Sequence, residues 1–248
     1  IKSPHVARVS DVGTSEQGEP YMAMELLDGA DLSQVLGTRG RLPLVEAVDY
    51  VVQACEAIAE AHAHGIVHRD IKPANLFLTT HVDGKPFVKV LDFGISKVMG
   101  DAALTRSFVA MGSALYMSPE QMQQTRSVDH RTDIYALGIT LYQLLAGKQP
   151  FHADTLPQLC VQVLTGVPAP LSSFRPDLPA DFATVLEKAY QRSRGERYQS
   201  VADLVVALSP YAPAQSRATI ERICGMAGIS APRAVTGSNG SATQEDTG

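Results

Sequence analysis

The stretch His68-Arg69-Asp70-Ile71-Lys72-Pro73-Ala74-Asn75 lies between two apolar runs and gathers a carboxylate, an ammonium and an amide within eight positions. A carboxylate can accept a hydroxyl proton, a lysine two residues on can neutralise phosphate, and an amide five residues on can ligate a metal. That combination suits phosphoryl transfer, in which positioning and charge neutralisation supply most of the catalysis. Any one of these residues alone reads as a solvated polar turn; their joint spacing argues for chemistry.

Outward from this loop the pattern is mixed. Upstream, Ala47, Val51, Ala54, Ile58 and Ala61 recur at helical spacing over roughly 44–64, and Gly65 stops the run. Before it, Asp31 is placed to cap a short helix through Leu36, closed by Gly37 and Gly40. Downstream, Leu76-Phe77-Leu78 and Phe87-Val88-Lys89-Val90-Leu91 bracket Asp83-Gly84, which predicts a hairpin whose second arm exits into Asp92-Phe93-Gly94. Residues 95–116 hold no period and read as a long functional loop. Asp133 to Gly147 is apolar on nearly every face and predicts the central buried helix. Weaker helical patterns follow near 155–166, 180–190 and 200–208. At the front, Val6, Val9 and Val12, then Tyr21 to Leu27, predict two antiparallel strands. Two strands do not make a stable sheet, so the pair is expected to be the remainder of a larger one. From Pro210 onward Pro, Ala, Ser, Thr and Gly dominate. Ile220, Ile223, Met226 and Ile229 could form a short amphipathic turn, and 230–248 read as a disordered linker.

Composition narrows the class. With 248 residues and 45% hydrophobic content the chain can bury a full core. A formal net charge of -5 argues against a nucleic-acid or anionic-membrane surface as the main partner. Cys55, Cys160 and Cys224 are odd in number and far apart, which fits neither a disulfide framework nor a zinc site and favours a reducing, cytosolic setting. No apolar run approaches the roughly 18 residues of a membrane span.

His68-Arg69-Asp70 with Lys72 and Asn75, then Asp92-Phe93-Gly94, then Ser118-Pro119-Glu120, then Asp133 opening an apolar helix, together resemble the eukaryotic-type serine/threonine protein kinases, especially their bacterial members. The resemblance covers about residues 4–208. It implies an α+β, protein-kinase-like fold: a remnant of the N-terminal β-lobe over 1–27, a mostly helical C-terminal lobe over 28–208, and a flexible tail over 209–248.

It also implies roles. Asp70 would orient the substrate hydroxyl and accept its proton, and Lys72 would neutralise the transferring phosphate; lysine at this place marks the serine/threonine-specific members. Asn75 and Asp92 would hold the two Mg²⁺ ions on ATP. Ser113 stands where a threonine usually bonds the catalytic aspartate and lysine. Met24 matches the gatekeeper, and Glu25 to Leu27 the hinge that binds adenine through its backbone. Asp31 would reach the ribose, and Leu32 and Phe77 would flank the adenine ring. Arg69 would pair with a phosphate on the activation loop, with Thr105 and Ser107 as candidate phosphosites. His68 would pack on Phe93, and Glu120 with Arg197 would form a buried pair; an exposed pair would contribute little. A metal cluster of His62, His64 and His68 is not favoured.

The resemblance fails at the front. The glycine-rich phosphate loop, the strand lysine and its glutamate partner have no counterparts, so the chain is expected to be a fragment of a longer kinase with little activity alone. Bacterial members often carry a membrane attachment beyond such a tail. Two other functions compete with the enzyme acting on Ser/Thr of a protein substrate. A non-catalytic kinase-like binding module would not need Asp70, Lys72, Asn75 and Asp92 together, and a small-molecule phosphotransferase of this fold would lack the Ser118-Pro119-Glu120 segment.

Overall fold

The helix Arg131–Ala146 is the centre of the molecule: every residue in it except Arg131 and Gln143 is buried. It could be so only because its sequence is apolar on all faces. The computed structural model describes residues 1–93, 111–123 and 128–232.

In chain order, β1 (Val9–Thr14) and β2 (Pro20–Met24) pair antiparallel. A short β3 (Ala30–Asp31) leads into α1 (Leu32–Arg39), and α2 (Leu44–Ala63) follows. After the charged loop come β4 (Leu76–Thr80) and β5 (Pro86–Val90), which join β3 in a sheet of order β3-β4-β5. The lower part is helical among the described residues: α3 (Met111–Ala114), α4 (Pro119–Met122), α5 (Arg131–Ala146), α6 (Leu156–Thr165), α7 (Ala180–Ala189), α8 (Val201–Leu208) and α9 (Arg217–Met226). None of these helices is long and apolar enough to cross a membrane.

Helix α2 packs against α5, α8, α9 and β5, so one core runs from the hairpin to the C-terminal helix. Close approach of α5 and α7 depends on Gly138, where an added Cβ would stand 2.8 Å from the Ala189 Cβ. The capping logic holds at α1, where the Asp31 carboxylate accepts from Ser33 and Gln34 N–H.

Two expectations are corrected. Gly37 does not close α1; the helix continues to Arg39, because Gly40 at φ 74° supplies the terminating turn and returns its N–H to the Leu36 carbonyl. The tail is not flexible over 209–226. Two 3₁₀ turns, Ser209–Tyr211 and Ala214–Ser216, lead into α9, which buries Ile220, Ile223 and Cys224. Low overall hydrophobicity hid a helix whose few apolar residues share one face.

Candidate active site

The loop between α2 and β4 is held from below by one carboxylate. Asp133, in the first turn of α5 and fully buried, accepts from the His68 N–H at 2.9 Å and the Arg69 N–H at 2.8 Å. His62 Nε2, from the last turn of α2, donates to the same group at 2.7 Å. These bonds hold Arg69 at φ 68°, a left-handed conformation that non-glycine residues rarely adopt. Gln121 Nε2 of α4 adds a bond to the Arg69 carbonyl at 2.9 Å.

His68 is oriented by its partners. Nε2 faces the Leu91 carbonyl at 2.9 Å and so donates; Nδ1 accepts from the Asp70 N–H at 3.3 Å. The ring meets Phe93 edge-on with centroids 4.8 Å apart.

Above this foundation stands the polar cluster. Lys72 Nζ lies 2.7 Å from Asp70 Oδ2 and 2.8 Å from Ser113 Oγ. Asn75 Nδ2 donates to the Asp70 carbonyl at 2.7 Å and to Oδ2 at 3.1 Å. Both side chains therefore converge on one carboxylate oxygen, while the Asp70 side chain stays 41% exposed. The hairpin register then fixes Asp92. Leu76 pairs with Val90, and the Leu91 N–H donates to the Asn75 carbonyl at 2.9 Å, so Asn75 and Asp92 leave the hairpin on neighbouring strands. Asp92 sits at φ 60°, the second left-handed non-glycine residue among the described residues.

Donor chemistry fits a hard cation here. Asn75 spends its N–H groups on Asp70, which leaves its side-chain oxygen as an acceptor, and Asp92 adds a carboxylate from the neighbouring strand end. Among the described residues no three His, Cys, Asp or Glu side chains converge as a metal site. Mg²⁺ is commonly held by one or two protein oxygens plus substrate phosphates, and a protein cage is not needed.

The Glu120–Arg197 pair is buried and bidentate, at 2.7 and 2.8 Å. Arg197 also donates to the Gln191, Arg131 and Arg192 carbonyls and lies over the Tyr135 ring at 5.0 Å, so all five of its N–H groups have acceptors. Burial raises the Glu120 carboxyl, and the Arg197 guanidinium outweighs that and holds it below the ordinary value. Ser118 caps α4 with a reciprocal Gln121 bond, which sets Glu120 in the first turn.

Comparison with known proteins agrees with this geometry. The protein kinase domain profile matches residues 1–226. The chain belongs to the protein kinase domain family. It is 42% identical over 206 residues to serine/threonine-protein kinase Pkn1 of Myxococcus xanthus, covering 81% of this chain and 29% of that protein. It is 36% identical over 208 residues to serine/threonine-protein kinase PknB of Mycobacterium leprae, covering 82% and 33% respectively. The chain thus spans about a third of the length of the curated relatives it matches.

Within this kinase domain the residues expected on the adenine side are placed unevenly. Met24 ends β2 and is 42% exposed. Glu25 is tied by its side chain to Lys89 Nζ at 2.5 Å and to the Arg8 N–H at 2.8 Å. Leu27 is partly exposed, and Phe77 on β4 pairs with Asp31 on β3. Leu32 is a correction: it is 0% exposed, so it can back the β4 strand from within the core but offers no face to a ring. It was misplaced because it begins an amphipathic helix whose first apolar residue turns inward. Gly94, Thr105 and Ser107 lie outside the described residues.

Four contributors were missed in the sequence. His62 was weighed only as a metal ligand; Gln121 and Lys89 carried no local signal. Gly29 is the fourth: at φ 141° an added Cβ would collide with the Leu78 carbonyl and stand 3.2 Å from the Phe77 ring. The Asp28-Gly29 pair was the available hint.

Proposed function

We propose that this domain transfers the γ-phosphoryl group of ATP to serine or threonine hydroxyls of a protein substrate. The observation that carries the reading is the convergence of Lys72 and Asn75 on Asp70, with Lys72 held in turn by the Ser113 hydroxyl. With one carboxylate oxygen occupied by these partners, the other is available to orient a substrate hydroxyl. As the hydroxyl oxygen attacks the γ-phosphorus and the bond to ADP breaks, the hydroxyl proton passes to Asp70. Lys72, 2.7 Å from the same carboxylate, supplies positive charge beside the transferring group.

Asn75 and Asp92 would hold Mg²⁺, which when bound draws negative charge from the nucleotide phosphates. The Glu25 carbonyl and Leu27 N–H would hold adenine beside Met24, with Phe77 beneath it. Asp31 uses Oδ1 to cap α1, so its other oxygen would serve the ribose. Arg69 is exposed and would pair with a phosphate on Thr105 or Ser107.

The test is Asp70→Asn in the full-length protein. The expected result is a fall in kcat of about 10²–10⁴-fold, with ADP affinity and thermal melting little changed. Phosphate transfer that survives the substitution at the wild-type rate would overturn the reading.

A further inference from the structure

Strand β5, which delivers Asp92, is the last strand of the sheet of order β3-β4-β5; on its other side it makes a single parallel bridge, between Val90 and Val6. The exposed edge of such a strand presents unpaired peptide groups. Here those of Val90 are taken by the backbone of His5 and Ala7, the Ala7 N–H donating to the Val90 carbonyl at 3.0 Å, and those of Val88 by side chains. Gln53 Oε1 accepts the Val88 N–H at 2.9 Å, and His5 Nδ1 lies 2.7 Å from the Val88 carbonyl. The His5 ring lies nearly flat on Phe87, 4.3 Å between centroids at 19°, and its backbone carbonyl accepts the Val90 N–H at 2.7 Å.

Both side chains are themselves held from α9. Arg222 donates from Nε and Nη2 to Glu56 Oε2 at 3.1 and 2.7 Å, and that oxygen stands 3.8 Å from His5 Nε2. Ser216 and Gln215, at the start of α9, donate to the buried Asp49 carboxylate, which also accepts from Gln53 Nε2 at 3.0 Å. Glu56 is only 5% exposed and needs a countercharge. Burial foremost holds the His5 imidazole below its usual value, so that countercharge comes from Arg222.

We propose that Arg222 is a positioning residue for Asp92: its guanidinium orients the buried Glu56 carboxylate, which sets His5 against Val88 and thereby holds β5 and the aspartate two residues beyond it. The C-terminal helix is then part of the nucleotide site's support, although none of its residues lies in that site. The proposal rests on the kinase reading above only in the role given to Asp92.

The experiment is amide hydrogen exchange with Mg-ADP titration on the full-length protein and its Arg222→Met, Arg222→Lys and Glu56→Gln/Arg222→Met variants. Arg222→Met should speed exchange at Val88–Val90 by about tenfold, leave α5 unchanged, and weaken Mg-ADP binding severalfold. Arg222→Lys should restore most of both. The double variant removes the uncompensated carboxylate and should stay fast at β5. Wild-type exchange at β5 in either Met-bearing variant, or acceleration spread equally over α5, would overturn the proposal. If the wild-type protein fails to bind Mg-ADP, the kinase reading falls, while the exchange pattern still decides whether Arg222 holds β5.

Discussion

Asp133 does most at the scale of single residues, because three donors from two segments end on one buried carboxylate. Asp133→Asn keeps the shape but replaces an acceptor oxygen with an N–H₂ that faces donors. At least one of the His68, Arg69 and His62 groups then loses its partner inside the protein. The expected cost is about 2–3 kcal/mol of stability, and Arg69 loses the bond that holds its left-handed backbone. Urea unfolding measures the first; proteolysis near Arg69 under native conditions measures the second. A variant as stable and as resistant as wild type would remove Asp133 from this role. Its place beneath the loop was legible because it opens an apolar helix, a position where a charge needs a reason. His62 was not legible, since nothing local distinguishes a helix-end histidine that meets a carboxylate 71 positions away.

Between elements, the Glu120–Arg197 pair joins α4 to the loop after α7. Removing one partner of a buried pair leaves the other charge without compensation, so Glu120→Gln should cost about 3–5 kcal/mol at neutral pH. The pH dependence follows from the lowered carboxyl of Glu120. The unfolded chain takes up the proton first, near the ordinary value of 4.5, and the folded pair only at lower pH. The pair's contribution is therefore full above 4.5 and is lost as pH falls through the folded value. The gap in urea midpoint between wild type and Glu120→Gln should narrow over that window; a constant gap down to strongly acidic pH would show that ionisation is not what stabilises the contact. At this scale the sequence was informative wherever the period was clean. The hairpin around Asp83-Gly84, α2 and α5 emerged close to their predicted bounds. Leu32 and Gly37 were misread because each belongs to a helix whose inward face and end are set by tertiary packing and by Gly40.

At the scale of the molecule, the error over 209–226 is the instructive one. Composition there is that of a linker, and only the pairing of Ile220 and Ile223 on one face, four hydrogen bonds to the buried carboxylates of Asp49 and Glu56, and the apolar surface of α2 make it a helix. None of those partners is local, so no window of sequence contains them. Deletion of 209–248 should therefore unfold more than a tail. Burial of the two isoleucines alone is worth about 1.5–3 kcal/mol each. Asp49 would lose the Ser216 and Gln215 donors, and Glu56 would lose Arg222. Against a domain stability of roughly 5–15 kcal/mol, the shortened chain is marginal. The melting temperature is expected to fall by roughly 10 °C or more, with exposed α2 and α8 surfaces promoting aggregation. Ile223→Ala in the longer chain should reproduce part of the loss, about 2–5 kcal/mol, which separates packing from the effect of chain length. If the chain ending at Leu208 melts with the longer one, α9 contributes nothing to the core, and the route from Arg222 to Asp92 loses its anchor as well.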